Sequence, residues 1–142
     1  MDSFELDNLP DSNDLWKGIG GYFDSLGEIL CEFIDNSISN FVGNNLPNRT
    51  ICIRLKDMNS FVEVEVLDSG TGIKDLQSAF TLGSRKAAES PLNEHGFGFK
   101  HALASANIEN NSWSIDTCTS EDRDKHQFKR ISAPYLIQGQ KV

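Results

Sequence analysis

Glu32 and Asn36 stand four residues apart in an apolar-periodic stretch, so a helix would place them one turn apart on one face. A carboxylate there can accept a proton from water, and a carboxamide oxygen beside it can ligate a hard cation such as Mg2+. The pair alone is commonplace, and the solvated face of an amphipathic helix accounts for it equally. Their neighbours are less ordinary. Asp35, Asn36, Ser37, Ser39 and Asn40 are weak helix formers whose side chains compete for backbone hydrogen bonds. Five such residues inside one helix ask for a reason.

Two further segments carry residues of a related kind. Asp68-Ser-Gly-Thr-Gly-Ile-Lys follows an alternating strand pattern. A carboxylate at a strand end can accept a hydrogen bond from an exocyclic amine such as that of adenine. Gly70 and Gly72 let the backbone turn and approach a flat ring. A local turn that uses Asp and Gly for its own geometry reads from the same residues. Asn93-Glu-His-Gly-Phe-Gly-Phe-Lys leads into a helical stretch. There Gly96 and Gly98 would leave free N–H groups at a positive helix end, which favours phosphate. Lys100, Arg85 and Lys86 supply charge for it, Phe97 and Phe99 read as loop anchors in the core, and His95 is either a hydrogen-bond filler or a contact. There is no GxxxxGK[ST], no G-x-G-x-x-G opening a helix after a strand, and no zinc spacing.

The elements that must position these residues follow from periodicity. Residues 15–41 read as helix in two pieces, broken near Gly18, Gly20 and Gly21. Residues 50–56 and 61–67 alternate and make a hairpin across DMNS. A short helix is expected over 75–82, a long loop over Gly83–Gly98, and a helix over 99–107. Residues 113–119 and 127–132 read as strands joined by a turn at EDRDK, and 134–142 as part of another. The order implies an α+β class: a two-layer sandwich with helices packed on one face of a mixed, mainly antiparallel sheet. Residues 1–14 are expected to be a flexible tail, or a clamp onto a neighbour, and 15–142 the domain.

With 142 residues and a net charge of −8, the chain has length for one core and no global attraction to nucleic acid or anionic membranes. A bound polyanion would need a local site with a metal and a few cations. No apolar run reaches membrane-spanning length, and the acidic start is unlike a signal peptide. Cys31, Cys52 and Cys118, without CxxC spacing, read as reduced thiols of a cytoplasmic protein, or a nuclear one in a eukaryote. Asn110-Asn-Ser and Asn48-Arg-Thr match a glycosylation pattern by accident.

Taken together and in this order, the three segments resemble the GHKL, or Bergerat-fold, ATPases, over roughly residues 15–131. Glu32-Phe-Ile-Asp-Asn-Ser is similar to the family's E-x-x-D-N-[SA] box, Asp68-Ser-Gly-Thr-Gly to its D-x-G-x-G box, and His95-Gly-Phe-Gly-Phe-Lys to its second glycine box. The resemblance implies Mg2+-dependent ATP binding and slow hydrolysis, with Glu32 as the base that deprotonates water and Asn36 as a Mg2+ ligand. Asp68 would hold the adenine amine, with Gly72 beside the base and Gly70 and Ile73 among the ATP-binding residues, and Asp35 would orient its neighbours or lie near the nucleoside. The lid over the triphosphate would be Gly83–Gly98, bringing Ser84, Lys86, His95, Gly96, Phe97 and Gly98 to ATP, with Phe99 and Lys100 at its phosphate end.

Within the family, Gly83-Ser-Arg-Lys followed by the His95 box is most similar to the chaperone, mismatch-repair and microrchidia side. Asn93 stands where the family often has glycine, and further strands, a threonine near adenine and a lysine from a second domain have no counterpart in the sequence, so the domain is expected to be C-terminally incomplete or completed by a homodimer or partner. Two other functions are compatible with the same boxes: an ATP-gated binding or dimerisation module with little turnover, and a histidine kinase catalytic domain. The latter needs a phosphoacceptor helix, and none of His95, His101 and His126 sits in one.

Overall fold

A computed structural model describes residues 3–6, 8–81 and 98–142 of the chain. Helix α1 (Ser12–Gly20) starts where the Asp11 carboxylate accepts from the backbone N–H groups of Asn13 and Asp14. Helix α2 (Leu26–Gly43) starts the same way, with Ser25 Oγ accepting from Glu28 N. The break between them falls at the expected glycines, while α1 reaches three residues into the stretch expected to be tail. Strands β1 (Ile51–Asp57) and β2 (Val62–Asp68) pair antiparallel, from Ile51 opposite Asp68 to Asp57 opposite Val62. Helix α3 (Leu76–Phe80) follows, and helix α4 (Gly98–Ala106) opens the next described segment. Strand β3 (Ser114–Thr117), helix α5 (Ser120–Asp124) and strand β4 (Lys129–Ser132) complete the order, β3 and β4 also pairing antiparallel.

The class is α+β. In place of one mixed sheet, the described residues hold two separate two-stranded antiparallel ladders. Two local expectations are corrected. Residues 121–124 of EDRDK are not a turn but helical residues of α5, with Lys125 as its C-cap, and the reason was visible in the sequence. Thr119 and Asp122 form a reciprocal capping box, each side chain bonding the other's backbone N–H. Residues 134–142 add no strand. The β1–β2 alternation also promised a buried face, yet Ile53, Leu55 and Val62 remain exposed.

The core lies where α1, α4 and the β3–β4 ladder meet. Trp16, 1 % exposed, stacks on Trp113 at 5.5 Å and on Tyr135 at 5.3 Å, with Leu103, Ala104 and Ile131 closing the cluster. Truncating an aromatic buried to this degree typically costs about 3–5 kcal/mol. Asn110 is its polar pin. Its Oδ1 accepts from Trp113 Nε1 and Tyr135 N, and its Nδ2 donates to Asn13 Oδ1 and Tyr135 O. Burial and full hydrogen bonding of that amide agree with reading its sequon as accidental. Helix α4 packs against both α1 and α2, and this sandwiching brings α2 to the site.

Candidate functional site

Helix α2 is the spine of the site. Ser37 Oγ lies 2.7 Å from Asp68 Oδ2, to which it can donate, and 3.3 Å from the alternative acceptor Phe33 O. One turn on, the Asn40 carboxamide grips Thr71 twice: Nδ2 donates to Thr71 Oγ1 and Oδ1 accepts from Thr71 N, both at 2.9 Å. Two of the weak helix formers therefore bolt α2 to the turn that follows β2. Neither was assigned a role in the sequence, although their poor fit to a helix interior was the signal that could have found them.

The turn itself is over-determined. Asp68 Oδ1 accepts from Gly70 N at 2.9 Å, so both carboxylate oxygens already have one partner and keep lone pairs for a further donor. Where a side chain on Gly70 would project, the Asn40 carboxamide already sits. Gly72 has φ +74°, and a Cβ there would lie 2.5 Å from Cys118 O. No other residue fits. Next to it, Ile73 N donates to Thr117 Oγ1 at 2.6 Å, a contact that only the tertiary fold brings together. The Cβ sides of both glycines are thus filled by protein.

Glu32 meets the other glycine box. A Cβ on Gly98 would fall 2.5 Å from Glu32 Cδ and closer still to its Oε1, so the carboxylate lies against the first residue of α4. Burial pushes the Glu32 pKa up, and the neighbouring charge of Asp35 adds to this. From Glu32 to Asn40 is ~12 Å along the helix axis, and the contacts to the turn at residues 68–72 and to Gly98 both fall within that length. Asn36 and Ser39 lie between. Among the described residues, Asn36 Nδ2 and Ser39 Oγ are buried and find no hydrogen-bond partner, a condition that costs about 1–3 kcal/mol per group and asks for a physical reason.

Lys100 is 2 % exposed, with Nζ donating to Thr81 O at 3.0 Å, and burial lowers its pKa to about 8. Next along α4, His101 stacks on Tyr22 at 4.6 Å, its pKa lowered by burial and then by the Lys100 charge. Phe99 turns its ring into the core edge, against Phe33 and Phe80 at 6.0 Å each, as an anchor. Ser84, Arg85, Lys86, His95, Gly96, Phe97 and the rest of the expected lid short of Gly98 lie outside the described residues.

Among the described residues no cluster of three or more His, Cys, Asp or Glu could hold a metal ion by itself. A Mg2+ that draws most of its ligands from phosphates and water needs only one or two protein oxygens. The Asn36 carboxamide suits that demand, because its NH2 has no bond to break before the group turns. An open depression of about 570 Å3 over the β1–β2 hairpin, lined by Ile53, Arg54, Leu55, Lys56, Glu63 and Glu65, includes none of these site residues. No helix among the described residues is long and apolar enough to cross a membrane. Compared with protein-family models, curated proteins and solved structures, the chain matches none.

Proposed function

We propose that the chain is a Mg2+-dependent ATP-binding domain of the GHKL type that hydrolyses ATP slowly. One observation carries the reading: along a single helix, Glu32 touches Gly98 while Ser37 and Asn40 grip Asp68 and Thr71. The Asp68 box and the described end of the second glycine box, far apart in sequence, both meet the 32–40 stretch of α2, which carries the first box and is ~12 Å long at about 1.5 Å per residue. In this reading the two ladders are halves of the Bergerat sheet, approaching each other where Ile73 meets Thr117.

Asp68 uses its remaining lone pairs to accept the adenine amine, and the closed Gly70–Ile73 turn forms the wall beside the base. Asn36 and Lys100 face the phosphates. The Asn36 carboxamide would hold a Mg2+, which would neutralise charge on the transferring group. Glu32 orients the attacking water and takes its proton; its upward-shifted pKa brings the carboxylate closer to working pH, where a general base is most effective. Positioning accounts for most of the rate, and a cation from a second domain or a partner would raise it further.

The Glu32–Gly98 contact favours a second reading, an ATP-gated binding module with little turnover, because the carboxylate rests on the glycine. Steady-state turnover of Mg-ATP separates the two. The ATPase reading expects measurable release of phosphate that Glu32→Ala reduces at least about a hundredfold, the usual worth of a general base. Equal rates in variant and wild type would remove Glu32 from the chemistry, and binding without turnover in the wild type would leave the gated module.

A further inference from the structure

We infer that Thr119 and Asp122, outside all three boxes, are positioning residues that set adenine selectivity by fixing the peptide on which Gly72 rests. The inference builds on the ATP-binding reading and deepens it.

Asp122 is 2 % exposed, and its carboxylate is held on every side. Lys129 Nζ donates to Oδ1 at 2.5 Å, Thr119 N and Thr119 Oγ1 donate to Oδ2 at 3.0 and 2.7 Å, and Gln127 Nε2 reaches Oδ1 at 3.5 Å. A buried charge persists only when paired and hydrogen-bonded in this way. The helix it caps is five residues long, and Ser120, Glu121, Arg123 and Asp124 are exposed. Such a helix needs no buried carboxylate: the Asp11 and Ser25 caps of the longer α1 and α2 are exposed.

What the buried network does fix is the chain just before α5. Thr119 N is the nitrogen of the Cys118–Thr119 peptide, and this peptide closes on Gly72: a Cβ there would meet Cys118 O at 2.5 Å and Thr119 N at 3.0 Å. Two residues upstream, Thr117 Oγ1 receives Ile73 N. The Thr119–Asp122 box therefore clamps one side of the Gly72–Ile73 turn, while Asn40 clamps the other side at Thr71. Asp68 sits at the head of that turn. Loosening the β3 side shifts the turn and misdirects the carboxylate that reads the amine, without touching residues placed at the phosphates.

The test compares ADP with inosine diphosphate, whose base carries a carbonyl where adenine has its amine. Calorimetric affinities are measured with Mg2+ on wild type, Thr119→Val and Thr119→Ser, each with a thermal melt. We expect Thr119→Val to cut the preference for ADP about tenfold, the worth of one well-placed hydrogen bond, with inosine diphosphate affinity unchanged. Thr119→Ser, which keeps the hydroxyl, should restore the preference. An unchanged preference in Thr119→Val overturns the inference, and so does an equal loss for both nucleotides with a lower melting temperature, which marks a merely structural role. A folded wild type that binds neither nucleotide overturns the ATP-binding reading instead.

Discussion

A lysine ammonium kept from water has a measurable consequence. Lys100 is 2 % exposed with its pKa lowered to about 8 by burial, against roughly 10.5 in the unfolded chain. Between those two values the unfolded state holds a proton that the folded state has released, so stability rises with pH across that window. Below pH 8 both states are charged and the full burial penalty applies. Lys100→Met lacks this titration. The melting temperature of the variant relative to wild type should therefore stay level below about pH 8 and fall as pH is raised from there toward 10, as read by circular dichroism; a constant difference throughout would place the ammonium in solvent. Bound phosphate would stabilise the charged form and draw a proton onto Lys100. At this scale the sequence was partly legible. Glu32 and Gly98, 66 positions apart, do touch, whereas the partners of Ser37, Asn40, Thr71 and Thr117 were not legible, because hydrogen bonds between distant segments leave no periodic trace.

Among elements, α2 does the most, because one face of it carries the acid, the carboxamide and the two bolts to the glycine turn. The junction of α2 with α4 can be tested through Gly98. A methyl there collides with the far end of the Glu32 side chain, which can rotate away at small cost, and Ala in place of Gly favours a helix by up to about 1 kcal/mol. Gly98→Ala should thus keep the wild-type melting temperature within a few degrees and, if Glu32 is the proposed base, lower ATP turnover about tenfold or more, since the displaced carboxylate would no longer meet its water. Unaltered turnover in a stable variant would detach Glu32 from that junction. The helices and the β1–β2 hairpin were readable from period and from turn residues. Helix α5 was hidden because EDRDK is as polar as a turn, and only the Thr119–Asp122 spacing distinguished it. The pairing of strands into two ladders rather than one sheet depends on contacts between segments far apart in sequence, which alternation alone does not encode.

For the molecule as a whole, a net charge of −8 opposes the approach of a triphosphate. On the proposed reading, affinity for ATP would depend on neutralisation at the site, by Mg2+ and by cations near the phosphates, and on the grip of Asp68 upon the base. These two dependences separate a nucleotide site from an adventitious polar cleft. The fold class was legible from the order of elements; the meeting of the two glycine segments on α2 rested on resemblance, since no single spacing predicts a tertiary contact. The most direct measurement is calorimetric titration of ATP into wild type and Asp68→Asn, each with and without Mg2+. The account predicts binding by wild type that weakens when Mg2+ is withheld, and a further loss of about tenfold or more in Asp68→Asn, where a charge-assisted hydrogen bond is gone. Wild-type protein that takes up no ATP under either condition, or an Asp68→Asn variant that binds it equally well, would contradict the account.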